Sequence, residues 1–398
     1  MTAVRIPLRF PRAGGFSLVE LMVSVVIGLL AVLFATRLMT DSERNKRAAL
    51  GGSDSMQNGM LAMFSISGDA EHAGFGLNDP LIVGCDTVME DSGGYEMAQA
   101  ARGAATVRPL AAAIIEPGGE GPDGISLYAG SSFSGTGTLR ITSDYIGGTR
   151  IDVDRIPYGF GKGDVILVAP ETMGEQCSLA QVSNDAGSLP PPPSQQYVMI
   201  AGSGNRYNSG SLGAQYKGGA ARLYNLGPAA SLGFRTWSVE GGFLRLRSTD
   251  MKGAGADSQP VADNIVSLKA QYAFDTRVGE DFKPEDGMRL SSWSGEMIDA
   301  DGDGTIGSAG DYQRISALRI AVVARARNPD RPDTAAGQCS IPASRAERPR
   351  IFADADNPEG DPVTVAVEGD PAHWSCYRYR VFETIVPLRN AGWRPTAS

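Results

Sequence analysis

The sequence predicts an α+β protein. One long N-terminal α-helix, transmembrane in its first half, is expected to pack on a large antiparallel β-rich globular domain with long loops. Three observations predict this. The apolar run from Phe16 to Thr36 holds a single ionisable side chain, Glu20. Helical spacing of apolar residues continues beyond that run and gives way after Gly74 to short alternating stretches. The 50 glycines and 24 prolines favour turns and loops over a helical bundle.

Taken in order, residues 1–15 contain Arg5, Arg9 and Arg12 and no acid, which predicts a cytoplasmic N-terminus. As helix, residues 16–37 span roughly 30 Å, the thickness of a bilayer core. The run is too long for the apolar region of an ordinary signal peptide, and no small-residue cleavage site follows it before Arg37. A plain signal anchor explains the length but not Glu20. Residues 38–74 read as an amphipathic continuation of the helix, for a total of roughly 85 Å. Met56, Met60, Met63 and Phe64 fall on one helical face, and this stripe is expected to pack on the globular domain. Gly51 and Gly52 are expected to soften the helix, and Gly74 to cap its end.

Residues 75–398 form the predicted β-rich domain. ISLYAG (125–130), DVILVA (164–169), QYVMIA (196–201) and ARLYNL (221–226) look like strands, and FLRLRS (243–248) alternates cleanly. In IVSLKAQYAF, Val266, Leu268, Ala270, Tyr272 and Phe274 should share one face of a half-buried strand. ALRIAVVARAR (317–327) and YRYRVFETIVPL (377–388) are the last strong strands. The proline-rich stretch 189–194 and the Gly/Ser-rich stretch 201–220 read as solvated loops.

Cys85, Cys177, Cys339 and Cys376 are scattered, without metal-site spacing. In a chain with a membrane signal they read as two disulfides formed in an oxidising compartment. Of the three pairings, Cys85–Cys177 with Cys339–Cys376 is favoured because neighbouring closures are commonest. The net charge of −9, with no basic stripe, does not suit a nucleic-acid partner. With His72 and His373 alone, and no nucleophile elbow, phosphate loop or metalloprotease helix, the sequence gives no sign of an enzyme. DADGDGTIG (299–307) is the one metal-like stretch. Asp299, Asp301 and Asp303 alternate before Gly304, a pattern that can aim oxygens at calcium. Thr305 and Asp311 are further candidate ligands, although Asp311 falls one residue late for the full loop. The acids Asp354, Asp356, Glu359 and Asp361 read as a solvated loop.

Gly15-Phe16-Ser17-Leu18-Val19-Glu20 resembles the class III signal of type IV prepilins. The resemblance implies cleavage between Gly15 and Phe16 by a prepilin peptidase, N-methylation of Phe16 and an assembly role for Glu20. Physics supplies a reason for the acid. A lone carboxylate near a helix end in lipid costs a few kcal/mol unless partnered. In a packed array the new ammonium of one subunit can meet Glu20 of its neighbour.

The stretch 55–76 is similar to the helix end of the PilW family of type IV pilus minor pilins, through Gln57, Asn58, Asp69, Ala73, Gly74 and Phe75. An Arg common before that ending is absent, since Glu71 and His72 stand there. NIVSLKAQYAFDT (264–276) and YRVFETIVPLRN (379–390) also resemble that family. The resemblance implies a pilin-like fold and a minor pilin that helps initiate pilus assembly at the tip. Expected partners are other minor pilins, the major pilin, the peptidase and a tip adhesin. Before assembly the chain would sit in the inner membrane with a periplasmic globular domain; afterwards it would sit in the pilus. A type II secretion pseudopilin and a membrane-anchored calcium-dependent adhesin are the alternatives.

Overall fold

The structure is a computed structural model. It describes residues 17–131, 138–184, 195–200, 204–208, 210–330, 332, 337–340, 348–352, 362–367 and 369–392. Gly15, Phe16, the stretch 189–194 and the acids Asp354, Asp356, Glu359 and Asp361 lie outside the described residues.

Helix α1 runs Leu18–His72, unbroken at Gly51 and Gly52. The chain divides into two compact units, residues 1–53 and 54–398. The first carries the segment Leu18–Thr40, whose mean hydropathy is 2.7 and none of which is buried. Its leucines, valines and methionines are exposed on every side of the helix. A helix apolar all round demands lipid or other helices as its solvent.

The second unit is built from sheets. The first is fully antiparallel, with strands β1 (Ala113–Glu116), β2 (Gly124–Ala129), β3 (Gly233–Glu240), β4 (Phe243–Ser248) and β5 (Gln259–Asp263) in the order β5-β4-β3-β2-β1. The second, also antiparallel, holds β6 (Ile265–Phe274), β7 (Ser292–Ser294), β8 (Ile315–Arg325) and β9 (Tyr379–Pro387) in the order β7-β6-β8-β9. Ala62, Ile66 and Ala70 of α1 share one core with Trp237, Leu244, Leu268, Tyr272 and Ile320 of the two sheets.

β2 and β3 are hydrogen-bonded neighbours, Ala129 opposite Gly233, yet about a hundred residues separate them in the chain. That intervening stretch forms a third sheet. Its strands Gln176–Gln181, Asp164–Pro170, Ala221–Pro228 and Leu139–Arg140 pair in that order, and Asp86–Val88 adds in parallel beside Gln176–Gln181. It has its own core of Ile141, Phe160, Ile166, Val198 and Leu223. This is an inserted module, looped out where a tight hairpin would otherwise stand. The bridge Cys85–Cys177 links the segment before the first sheet to this module, and Cys339–Cys376 closes a loop before β9.

Two expectations need correction. The Met56/Met60/Met63/Phe64 stripe is not the buried face of α1. Met56 is 42%, Met60 53% and Phe64 78% exposed, and only Met63 is packed against the core. The helix instead buries Ser55, Ala62, Ile66 and Ala70, with Gly59. Small residues allow the sheet to come close: the Phe382 ring of β9 occupies the space where a side chain at position 59 would begin. Nor is β6 half-buried with one apolar face. Ser267, Lys269 and Ala273 are buried as well: Ile351, Phe352 and Val365 pack over Val323 on the far side of the sheet, and Lys269 reaches Asp123 and Gly119 O, both at 2.7 Å. A bulge between Ile265 and Ser267 breaks the alternation, so Ile265 enters the main core while Val266 joins that outer layer.

Candidate functional site

Glu20 sits in the first turn of α1 with its side chain exposed among apolar neighbours. An acid in the first turn complements the helix dipole, which lowers the cost of keeping it there. Gly15 and Phe16, the other members of that constellation, fall outside the described residues.

The residues at the far end of α1 tie the helix to the first sheet. Asn58 donates to Asp263 at the end of β5. Asp69 accepts from Arg235 and, at 2.9 Å, from Trp237 Nε1, both on β3. Arg235 also reaches Asp250 at 2.6 Å. Burial pushes Asp69 up, against the pull of the Arg235 charge and the Trp237 hydrogen bond. Beyond the helix, Gly74 has a positive φ of 80°, and its N–H donates to Tyr128 O at 2.8 Å. Phe75 O accepts from Gly130 at 2.8 Å. These contacts fix how α1 meets the sheet, a positional role rather than a chemical one.

The acidic loop is ordered by its own backbone. Asp299 accepts from Gly302 and Gly304, Asp301 from Asp303, and Asp303 from Thr305. One carboxylate oxygen from each of Asp299, Asp301 and Asp303 lies within 4.8 Å of the others. Three carboxylates converging so closely suit a hard divalent cation. Asp301 Oδ2 lies so near Gly310 that a Cβ there would stand 1.6 Å away.

Asp311 has a role different from the expected ligand. It is fully buried, and its two oxygens accept four backbone N–H groups, from Ala300, Asp301, Gly307 and Ser308. With Ser308 it forms the capping box of the short helix Ala309–Tyr312. Its lone pairs shape the loop and leave none for a cation. The Thr305 N–H donates to Asp303, and its carbonyl accepts from Ser308. Sequence spacing could not separate these roles, because both need an acid close to the turn. The two histidines are local: His72 Nδ1 lies 2.7 Å from Gly68 O, and His373 Nδ1 2.8 Å from Ser375 Oγ.

Residues 11–36 match the family described as "Prokaryotic N-terminal methylation motif", and residues 238–390 match "Type IV Pilus-assembly protein W". Both matches support a type IV pilus-related pilin. The second match begins inside β3 and ends just past β9, so it takes in β4, β5 and the whole second sheet and leaves out β1, β2 and the inserted module. The pilin matches no curated protein. Among solved structures, a type IV-like pilin from Thermus thermophilus is similar to it at 12% identity, over 58% of this chain and 86% of that one. Its TM-score of 0.18 carries no argument. The pilus-assembly match points to a structural role.

Proposed function

We propose that this pilin is a minor pilin, cut between Gly15 and Phe16, methylated at Phe16 and assembled through Glu20, and that it helps initiate the pilus at its tip with other minor pilins. Before assembly its β-rich domain faces the periplasm; the major pilin, the prepilin peptidase and a tip adhesin are its further contacts. The observation that carries this reading is Glu20, a single carboxylate in the first turn of a membrane-length apolar helix, within the segment that matches the methylation motif. An unpartnered charge there costs stability in lipid, so a neighbouring subunit's ammonium is its natural complement. Glu20→Ala should leave membrane insertion intact and remove the chain from sheared pili. Glu20→Ala protein recovered in pili at the wild-type level would refute the assembly role.

Asp299, Asp301 and Asp303 are proposed to hold calcium, with the backbone-ordered loop limiting the entropy lost on binding. Calcium should then raise the melting temperature of the full chain in detergent, and Asp301→Ala with Asp303→Ala should abolish that rise. A wild-type melt that ignores calcium sinks the site.

A further inference from the structure

Among the described residues the strand β9 is an edge of its sheet, paired on one side with β8 and with no strand on the other. Hydrogen bonds at both ends fix which backbone groups face outward. Leu388 N–H donates to Ser316 O at 2.9 Å, and Ala326 N–H to Arg378 O at 2.8 Å. In an antiparallel ladder hydrogen-bonded pairs alternate, so the even-numbered residues of β9 bond β8. The N–H and C=O groups of Tyr379, Val381, Glu383 and Ile385 therefore point away from the sheet. Among the described residues none of these groups takes a backbone partner. An open edge nine residues long is a template for one more strand.

A second observation falls on the same side. Arg380 Nη1 lies 4.0 Å from Met56 Sδ, and the Phe382 ring rests on Gly59, so β9 runs beside one flank of α1. Asn58 and Asp69 mark the opposite flank, bonded to β5 and β3. Each four-residue step along a helix turns by about 40°. Met56, Met60 and Met63 therefore line the flank turned toward β9, with Phe64 at its outer margin. The exposed methionines left over from the core stand beside the open edge. On the other face of the sheet, Val381 is 38% and Ile385 53% exposed.

We propose that the open edge of β9 accepts an extended strand of a neighbouring, different subunit in the assembled pilus, a refinement that rests on the assembly role proposed above. Another extended backbone can replace water along the whole row of alternating outward amides and carbonyls. Apolar surface on both faces of that row asks for a proline-free segment with apolar side chains at successive positions, those on one face meeting Met56, Met60 and Met63 and those on the other extending the Val381/Ile385 row. A second copy of this chain is the poorer occupant. Antiparallel self-pairing in the register of full overlap sets Glu383 against Glu383, and like charges directly opposite disfavour a pair.

The test is residue-resolved amide hydrogen exchange on the full chain, isolated in detergent and again in the membrane or pilus complex recovered through a tag on this chain. In the isolated protein the amides of Val381, Glu383 and Ile385 should exchange freely while those of Phe382, Thr384 and Val386 are protected. In the complex the odd-numbered set should slow at least about 100-fold. Val381→Pro and Ile385→Pro each remove only an outward N–H, which edge strands tolerate, and should cut recovery of the complex about tenfold. If either proline variant melts early, Val381→Lys with Ile385→Lys, placed at exposed positions, gives the same reading. Odd-numbered amides already protected in the monomer, or a homodimer through this edge, overturn the proposal, as do variants that assemble normally. Incorporation into pili with the edge as open as in the monomer refutes the edge and leaves the assembly role standing. A chain absent from pili whose edge is protected in a membrane complex does the reverse.

Discussion

Gly59→Ala decides whether α1 meets β9 as closely as the geometry requires. In a helix interior, replacing Gly by Ala ordinarily gains about 1 kcal/mol. Gly68, with nothing within 4 Å of where its Cβ would stand, is the matched control. At Gly59 an ideal Cβ would lie 2.0 Å from Phe382 Cε2, 2.5 Å from Cδ2 and 2.6 Å from Cζ. Three ring carbons at once cannot be avoided by turning a single terminal atom, so the ring or the helix must shift. Overpacking of this kind costs about 1–3 kcal/mol. Taking the upper half of that range against the helical gain leaves a net loss of about 1–2 kcal/mol. Chemical denaturation of the two single mutants reads the sign directly. Gly68→Ala should stabilise and Gly59→Ala destabilise. On a Phe382→Ala background the Gly59 substitution should revert to stabilising, a coupling between contacting residues that a double-mutant cycle measures. If Gly59→Ala stabilises the wild-type chain as Gly68→Ala does, the close packing of helix on strand is wrong, and with it the position of the open edge.

The disulfides and the acid limb give two more tests. Cys85–Cys177 closes a 92-residue separation and Cys339–Cys376 one of 37. The chain-entropy relation then assigns about 4.6 and about 3.8 kcal/mol. Replacing the first pair with alanines should therefore lower stability by more than replacing the second; the opposite order would show that the inserted module does not unfold with the rest. On the acid side, burial pushes Asp275 up, but hydrogen bonds from Arg277 and Arg289 outweigh it and hold its carboxyl below the usual range. Asp250 is likewise held low, its burial outweighed by Arg235 and Ser248. A carboxylate depressed in the folded state stabilises above its unfolded pKa, and that stability is lost as pH falls through the folded value. Asp69, raised by burial, works with the opposite sign. Melting temperature should thus fall below about pH 4, and less steeply in Asp275→Asn. An Asp275→Asn chain with the wild-type acid slope would remove Asp275 from that account.

The fold class and the positions of β2, β4, β6, β8 and β9 were legible because periodicity marks them. FLRLRS is β4 residue for residue, and the segment beginning at Gly74 leaves the helix where a glycine with positive φ permits it. Two features were not legible, and for definite reasons. Apolar spacing on a helix says which residues share a face but not which face is buried. The methionines lost to alanines and a glycine because the sheet approaches closely, and no sequence pattern declares interaxial distance. In β6, one bulge reversed the alternation and distant residues buried the polar face. Both are tertiary facts. At the acidic loop the spacing located the trio but could not tell a ligand from the acid that shapes the loop.

The inserted module lies wholly outside the segment that matches the pilus-assembly family, as do α1, β1 and β2. A hairpin between β2 and β3 needs only a few residues. Here the chain leaves at Ala129, builds a sheet with a separate core, and returns at Gly233 in register. The ladder of β2 and β3 closes by itself, while Val165, Leu167, Leu179 and Leu226 of the module pack into the main core. The side of the module with its own core lies away from the helix latch at Asn58 and Asp69 and from the edge strand β9. The segment of the chain that matches the pilus-assembly family holds β6, β8 and β9 in full, and the module lies outside it. Changes confined to exposed side chains of residues 138–184 should leave α1 and β9 as they are.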